Sequence, residues 1–317
     1  MTTQRPRSVR KGAAGLLFLL LTVMTTAGCA LHPGGELTLP QDGPPRVVVH
    51  DVPFYAQEEY QCGPATLAMA LGWSGVRVTP DALKAEVYTP SEKGSLQSAM
   101  VAAARRHGRM AYVLRGRDFL LDELAAGNPV ILLQNLGLSW YPVWHYAVAV
   151  GYDRDEDAVL LHTGTMRSRY YPLGLLDRTW ARSGYWGLLV LPPARMPAFV
   201  EETPWLKGAV GLERAGRTRE ALAAYEVATA KWPGSYDAWM GVGNSRYALG
   251  RDELSAKAFG RAVAIRPDNG IAYNNLANVL ARLGRREEAV AAAEKAVACG
   301  GPHIEVFRKT LSEIRQP

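Results

Sequence analysis

The sequence predicts two folded parts in series, an α+β domain and then an all-α solenoid of helix-turn-helix units. Three observations predict this. Pro129-Val-Ile-Leu-Leu-Gln134 and Tyr146-Ala-Val-Ala-Val-Gly151 are apolar runs of strand length, the mark of neighbouring strands inside a sheet covered on both faces. Helices and strands alternate ahead of them, beginning with a helical pattern from Pro64, just after Cys62-Gly63. Beyond Pro192-Pro193, chosen residues recur at a constant spacing of 34. At 317 residues the chain is long for one domain and comfortable for two.

Residues 1–28 have the order of an export signal, with Arg5, Arg7, Arg10 and Lys11, then an apolar run from Gly12 to Met24, then small residues at Ala27 and Gly28. The run is shorter than the ~20 residues that a permanent membrane helix needs. Thr26-Ala27-Gly28-Cys29 resembles the lipobox of bacterial lipoproteins, with Thr26 in place of the usual Leu. The resemblance implies that Cys29 receives a lipid and becomes the mature N-terminus. It also implies a location at the outer membrane facing the periplasm, because Ala30 stands where an inner-membrane signal would have Asp. Residues 29–46, rich in Pro and Gly, read as a tether. The other reading is an ordinary signal peptide that leaves Cys29 a free thiol.

The formal charge of +6 falls to +2 once the four basic residues of the leader are removed, and the remaining charges are interspersed. No basic run or basic-aromatic face is left, so a nucleic-acid partner is not expected.

Residues 47–192 form the predicted α+β domain. Val47 to Phe54 is an extended lead-in, and the helix from Pro64 stops at Gly72. Cys62 therefore falls at or just before a helix N-terminus, where unpaired amides and the helix dipole favour thiolate over thiol. Pro64 suits a first turn because it has no amide hydrogen to leave unpaired. Gly94 to His107 is Ala-rich and helical, Met110 to Leu114 reads as a strand, and Asp118 to Ala126 as a helix ended by Gly127. Tyr185 to Leu191 is a late strand. A sulfur nucleophile needs an imidazole to take its proton and return one to the leaving amine. Of the six histidines, His145 opens a buried strand and is placed to reach a helix N-terminus packed on the same sheet.

Gln57, Cys62-Gly63-Pro64, Gly127-Asn-Pro129-Val130-Ile131 and His145-Tyr146-Ala-Val-Ala-Val-Gly151-Tyr152 together resemble the bacteriocin-processing peptidases, a papain-like family that removes double-glycine leaders. The resemblance covers about residues 46–192. It implies Cys62 as nucleophile, His145 as general base and Gln57 as an oxyanion donor. Gln57 lies five residues before the cysteine, where the family more often has six. In the family the third member is an Asp at the end of the strand after the histidine hairpin, and the matching position here is His162, with Asn135 as second choice. A zinc site at Cys62, His145 and His162 competes only weakly, since no paired ligand spacing supports it. No cofactor or metal is expected.

A linker of residues 193–202 precedes the solenoid, residues 203–317. Trp205, Trp239 and Tyr273 are 34 apart, as are Gly216, Gly250 and Gly284, and Ala228, Ala262 and Ala296. Pro233 and Pro267 close two units. This pattern resembles the tetratricopeptide repeat, and His303 to Arg315 reads as a capping helix after three units. Such arrays bind proteins or peptides; the alternative is that these helices only stabilise or dimerise the first domain. Cys299 is expected as a small buried thiol in an Ala-rich helix, unbridged to Cys62.

The expected fold is thus a papain-like α+β cysteine peptidase domain followed by an all-α tetratricopeptide-repeat domain. The expected function is envelope-anchored hydrolysis of peptide bonds, with a protein or peptide substrate. Two other classes remain open: a peptidase fold that binds without turnover, and an acyltransferase using the same thiolate.

Overall fold

Val, Ile and Leu fill the two apolar runs, and residues of this kind pack well only where a pleated surface is covered on both sides. They form β5 (Val130–Asn135) and β6 (Trp144–Asp153) at the middle of the sheet. The computed structural model describes residues 37–39, 43–57 and 60–316. The leader, Cys29 and most of the tether lie outside the described residues. Of the two units into which the chain divides, residues 1–36 and Leu37–Pro317, the second is described here.

The remaining strands are β1 (Arg46–Val48), β4 (Met110–Arg115), β7 (Ala158–Thr163), β8 (Met166–Pro172) and β9 (Trp186–Leu191), with a small hairpin of β2 (Tyr88–Thr89) and β3 (Gly94–Ser95) set apart. The main sheet is antiparallel in the order β4-β9-β5-β6-β7-β8, and β1 pairs with the far end of β6. Its helices are α1 (Cys62–Trp73), α2 (Pro80–Val87), α3 (Gln97–Arg106), α4 (Phe119–Ala125) and α5 (Leu173–Ala181). The Ala-rich helix is shorter than expected, because Gly94 and Ser95 pair with Tyr88 and Thr89 in the hairpin.

Successive strand residues point to opposite faces, and the contacts show both faces covered. On one, Gln134 Nε2 donates to Thr179 Oγ1 of α5 at 2.8 Å, and Phe119 of α4 meets Trp180 edge to face. On the other, the Tyr146 hydroxyl donates to the Ser95 carbonyl at 3.0 Å, beside α1. Nine of the 12 residues of α1 are buried, so this helix runs through the interior and carries Cys62 in with it.

The solenoid comprises α6 (Glu202–Arg214), α7 (Thr218–Lys231), α8 (Tyr236–Ala248), α9 (Asp252–Ile265), α10 (Gly270–Arg282), α11 (Arg286–Cys299) and α12 (Ile304–Arg315). Gly216, Gly250 and Gly284 close the first helix of each pair at φ of +73°, +70° and +74°, a left-handed conformation that favours glycine. Ala228, Ala262 and Ala296 are fully buried, which lets neighbouring helices approach closely. The 34-spaced aromatics are not equivalent: Trp205 is fully buried, while Trp239 and Tyr273 are half-buried. Cys299 departs from expectation, being the last residue of its helix and half-buried, with Sγ 3.9 Å from the Pro267 carbonyl oxygen. Cys62 and Cys299 are both free thiols.

The first solenoid helix packs directly on the sheet domain. A Cβ at Gly208 would come within 2.4 Å of Met110 Sδ on β4, and the Trp205 ring lies 6.4 Å from that of Tyr112. Arg217 Nε donates to the Arg106 carbonyl at 2.6 Å, and the Phe199 amide donates to the buried Glu123 at 3.2 Å. One contiguous apolar core runs from the sheet through Trp205, Leu212 and Tyr225 to Ala258.

Candidate active site

Cys62 is the first residue of α1, and its own sequence leaves the right groups free beside it. A helix begins with four amides that have no intrahelical acceptor. Pro64 carries none, and the first helical bond runs from the Ala65 amide to the Gln61 carbonyl at 3.1 Å. The amides of Cys62 and Gly63 remain, and both hydrogen-bond the Cys62 sulfur, as does the backbone of Tyr146 on β6. Burial nevertheless dominates and pushes the Cys62 thiol above its ordinary pKa, with these three backbone groups pulling the other way. Gly63 is required sterically: a Cβ there would lie 2.2 Å from Ser95 Oγ.

The residue after His145 thus touches the sulfur, and Cys62 and His145 line one open cleft of about 1020 Å³. Burial holds His145 below the usual imidazole pKa. Its Nε2 lies 2.7 Å from Thr163 Oγ1, so Nδ1 is the ring nitrogen left to exchange a proton with a nucleophile.

Gln57 lies in the same cleft and is held at three points. Its amide donates to the Gly164 carbonyl at 2.9 Å, the Gly164 amide donates to Oε1 at 3.1 Å, and Nε2 donates to the Tyr146 carbonyl at 3.3 Å. These partners fix the orientation of the side-chain amide, since Gly164 N–H needs an acceptor and the Tyr146 carbonyl needs a donor. The second Nε2 hydrogen is left for a ligand oxygen.

Gln57, Cys62 and His145 line the same cleft, and His162 is not among the residues that line it. His162 is buried, its Nδ1 accepts from the Ser168 amide at 3.1 Å, and its ring packs on Phe54 at 5.5 Å. Burial lowers its pKa, a backbone bond to Val52 opposes that, and Arg167 adds to the lowering. The group that meets His145 is the next residue, Thr163. Asn135, the second choice, also serves elsewhere: its Oδ1 accepts from the Gly137 and Val143 amides, both at 2.9 Å, and so shapes the loop between β5 and β6. Among the described residues, no three His, Cys, Asp or Glu side chains converge as a metal site.

That loop is a feature the sequence reading passed over. Leu136, Leu138, Trp140, Tyr141, Val143 and Trp144 are all exposed, Trp140 by 80%, and three of them also line the cleft. Arg182 braces the loop from behind by donating to the carbonyls of Asn135 and Gly137. The signal was available in Leu-Gly-Leu-Ser-Trp-Tyr-Pro-Val-Trp, an aromatic run broken by Gly and Pro and so unsuited to a buried strand. Glu92 to Gln97 form the facing wall.

Residues 49–185 match the Peptidase_C39 like family, and residues 206–270 and 243–303 match the tetratricopeptide repeat. No curated protein matches the chain. Among solved structures, a C39-like peptidase from Bacillus anthracis is 19% identical, with 48% of this chain and 98% of that one covered at a TM-score of 0.41. MamA is 18% identical over 36% of this chain and 66% of its own, at a TM-score of 0.34. YrrB, described as a tetratricopeptide-repeat protein with an unusual peptide-binding site, is 21% identical over 36% and 58%, at 0.33. The chain thus spans less than two thirds of the length of each of these two repeat proteins. By these two matches, one region of the chain is similar to C39-like peptidases and a later region to tetratricopeptide repeats.

Proposed function

We propose that the chain is a cysteine peptidase that hydrolyses peptide bonds with Cys62 as nucleophile and His145 as general base. The observation that carries this reading is the meeting of β6 with the start of α1, where the residue after His145 hydrogen-bonds the Cys62 sulfur inside an open cleft. In the first step the sulfur adds to the carbonyl carbon and the oxygen takes up negative charge. Gln57 Nε2, through its second hydrogen, stabilises that oxygen. His145 then protonates the leaving amine, and water, deprotonated by the same imidazole, releases the acyl group. The apolar loop along one wall suits an extended peptide with apolar side chains. The repeat array presents a protein or peptide partner, as such arrays do.

A thiol-reactive peptide electrophile tests the site. Cys62→Ala is expected to abolish labelling and Cys299→Ala to leave it intact; equal labelling of the Cys62→Ala chain defeats the assignment. A peptidase fold without turnover is favoured by one observation, the absence among the described residues of a carboxylate bonded to His145, and predicts labelling of Cys62 without release of product. Acyl transfer predicts product release only when an amine is added.

We further propose, from the leader alone, that Cys29 carries a lipid that holds the protein at the outer membrane facing the periplasm. Metabolic labelling with a fatty acid is expected to mark the wild-type chain and not Cys29→Ser; labelling of both rejects the anchor.

A further inference from the structure

β7 ends in His162 and Thr163, and successive residues of a strand leave it on opposite faces. Val148 is the cross-strand partner of His162, so His162 shares a face with Val148 and Tyr146, while Thr163 shares the other with His145. That parity places Thr163 Oγ1 2.7 Å from His145 Nε2. We propose that Thr163 is the positioning residue for His145, and that its uncharged hydroxyl leaves Cys62 and His145 as a neutral thiol and imidazole until a substrate carbonyl arrives. The proposal rests on the peptidase reading of the cleft and specifies how its nucleophile is made.

A hydroxyl accepts a hydrogen bond from Nε2–H whether the ring is neutral or protonated, so it fixes the orientation of the ring in both states. It brings no negative charge with which to hold an imidazolium at rest. Among the described residues, the packed elements bond no carboxylate to His145: on its own face Asp177 of α5 accepts from the Tyr185 hydroxyl, and Arg182 donates to the Asn135 and Gly137 carbonyls. α1 and β5 carry no charged residue, and on β7 His162 faces away. Arg46 of β1 pairs with Asp153 at the distant end of β6, and Glu123 of α4 is bonded to Asn128. Among the described residues, Glu92 and Lys93 stand on the facing wall with Tyr60, Tyr141 and Tyr146 also in the cleft, and burial is the cause of the lowered His145 pKa. Burial acts on the two partners in opposite senses, raising the thiol and lowering the imidazole, and both shifts favour the uncharged pair.

The nucleophile is then formed in the step that uses it. As the S–C bond forms, the thiol proton passes to His145 Nδ1 and the carbonyl electron pair moves onto oxygen. When the C–N bond breaks, the same proton leaves with the amine, giving an acyl-enzyme and a neutral imidazole.

Alkylation of Cys62 by iodoacetamide in the full chain, read by mass spectrometry of the Cys62 peptide across pH, tests this without requiring any turnover. The wild-type rate is expected to rise once, on the alkaline side, with no plateau in the range of about pH 5 to 7 where an imidazolium would hold a thiolate. Thr163→Asp is expected to add that acid plateau and to raise the rate at pH 6 by about tenfold or more, the factor that one unit of thiol pKa represents. Thr163→Val should keep the wild-type alkylation profile while lowering turnover of a peptide ester, and Thr163→Ser should restore it. A wild-type acid plateau overturns the proposal, and so does a Thr163→Asp chain whose profile is unchanged. If Thr163→Asp does not fold, the wild-type profile decides alone. Alkylation confined to alkaline pH with no ester turnover leaves the neutral pair standing and removes the peptidase reading instead.

Discussion

The cleft and the repeat array solve the problem of packing in opposite ways. In the array one answer is used three times: a left-handed glycine, a fully buried alanine and a helix pair recur every 34 residues, each contacting its sequence neighbours. In the cleft every side chain is used once and meets partners far along the chain. Gln57 bonds to residues 89 and 107 positions away, and His145 to one 18 away. Damage to the array should therefore be read as lost stability, and damage to the cleft as lost chemistry with the fold intact.

The sharpest way to break that contrast is Cys62→Ala. Turnover should fall to background, while stability changes by about 1 kcal/mol or less, measured by denaturant unfolding; a large loss of stability would show that the nucleophile is also a packing residue. Next is Gln57→Ala, expected to lower kcat by about 10² to 10³, as loss of one oxyanion donor does. A change confined to KM would assign Gln57 to substrate binding instead. The smallest effect belongs to the array. A Cβ at Gly243 would come within 2.4 Å of the Phe259 ring, so Gly243→Val should cost about 1 to 3 kcal/mol of stability and leave Cys62 alkylation unchanged. A parallel loss of alkylation would mean that the two halves are coupled through their shared core.

What the sequence disclosed follows the same division. The array was legible because its rules are local and repeated, and β5 and β6 because an apolar run of strand length has few other uses. Cys62 was legible from Gly63-Pro64, which announces a helix start. The partner of His145 was not, and a single residue explains why. Near the turn β6 and β7 pair Tyr152 with Val159 and Gly151 with Leu160, a register that, continued unchanged, would set His162 opposite Ala149 and on the face of His145. A bulge between Ala149 and Gly151 shifts the register by one, so that Val148 faces His162 instead, and the two strand-end residues exchange faces. Neither composition nor spacing marks that bulge. The exposed loop between β5 and β6 did carry a signal, in the Gly137 and Pro142 that break its apolar run, and the hydrogen bonds of Asn135 and Arg182 show the chain turned outward there.

The packing of α6 on β4 also says how this chain can be taken apart. Severing it at the diproline would strip Met110 and Tyr112 of their cover and expose the Trp205 side that faces them, so a trimmed sheet-domain fragment would carry a raw apolar flank. A fragment designed to stay in solution should retain the first helical pair, whose second member closes over Trp205 through the bond from its indole nitrogen to the Ala224 carbonyl at 2.9 Å.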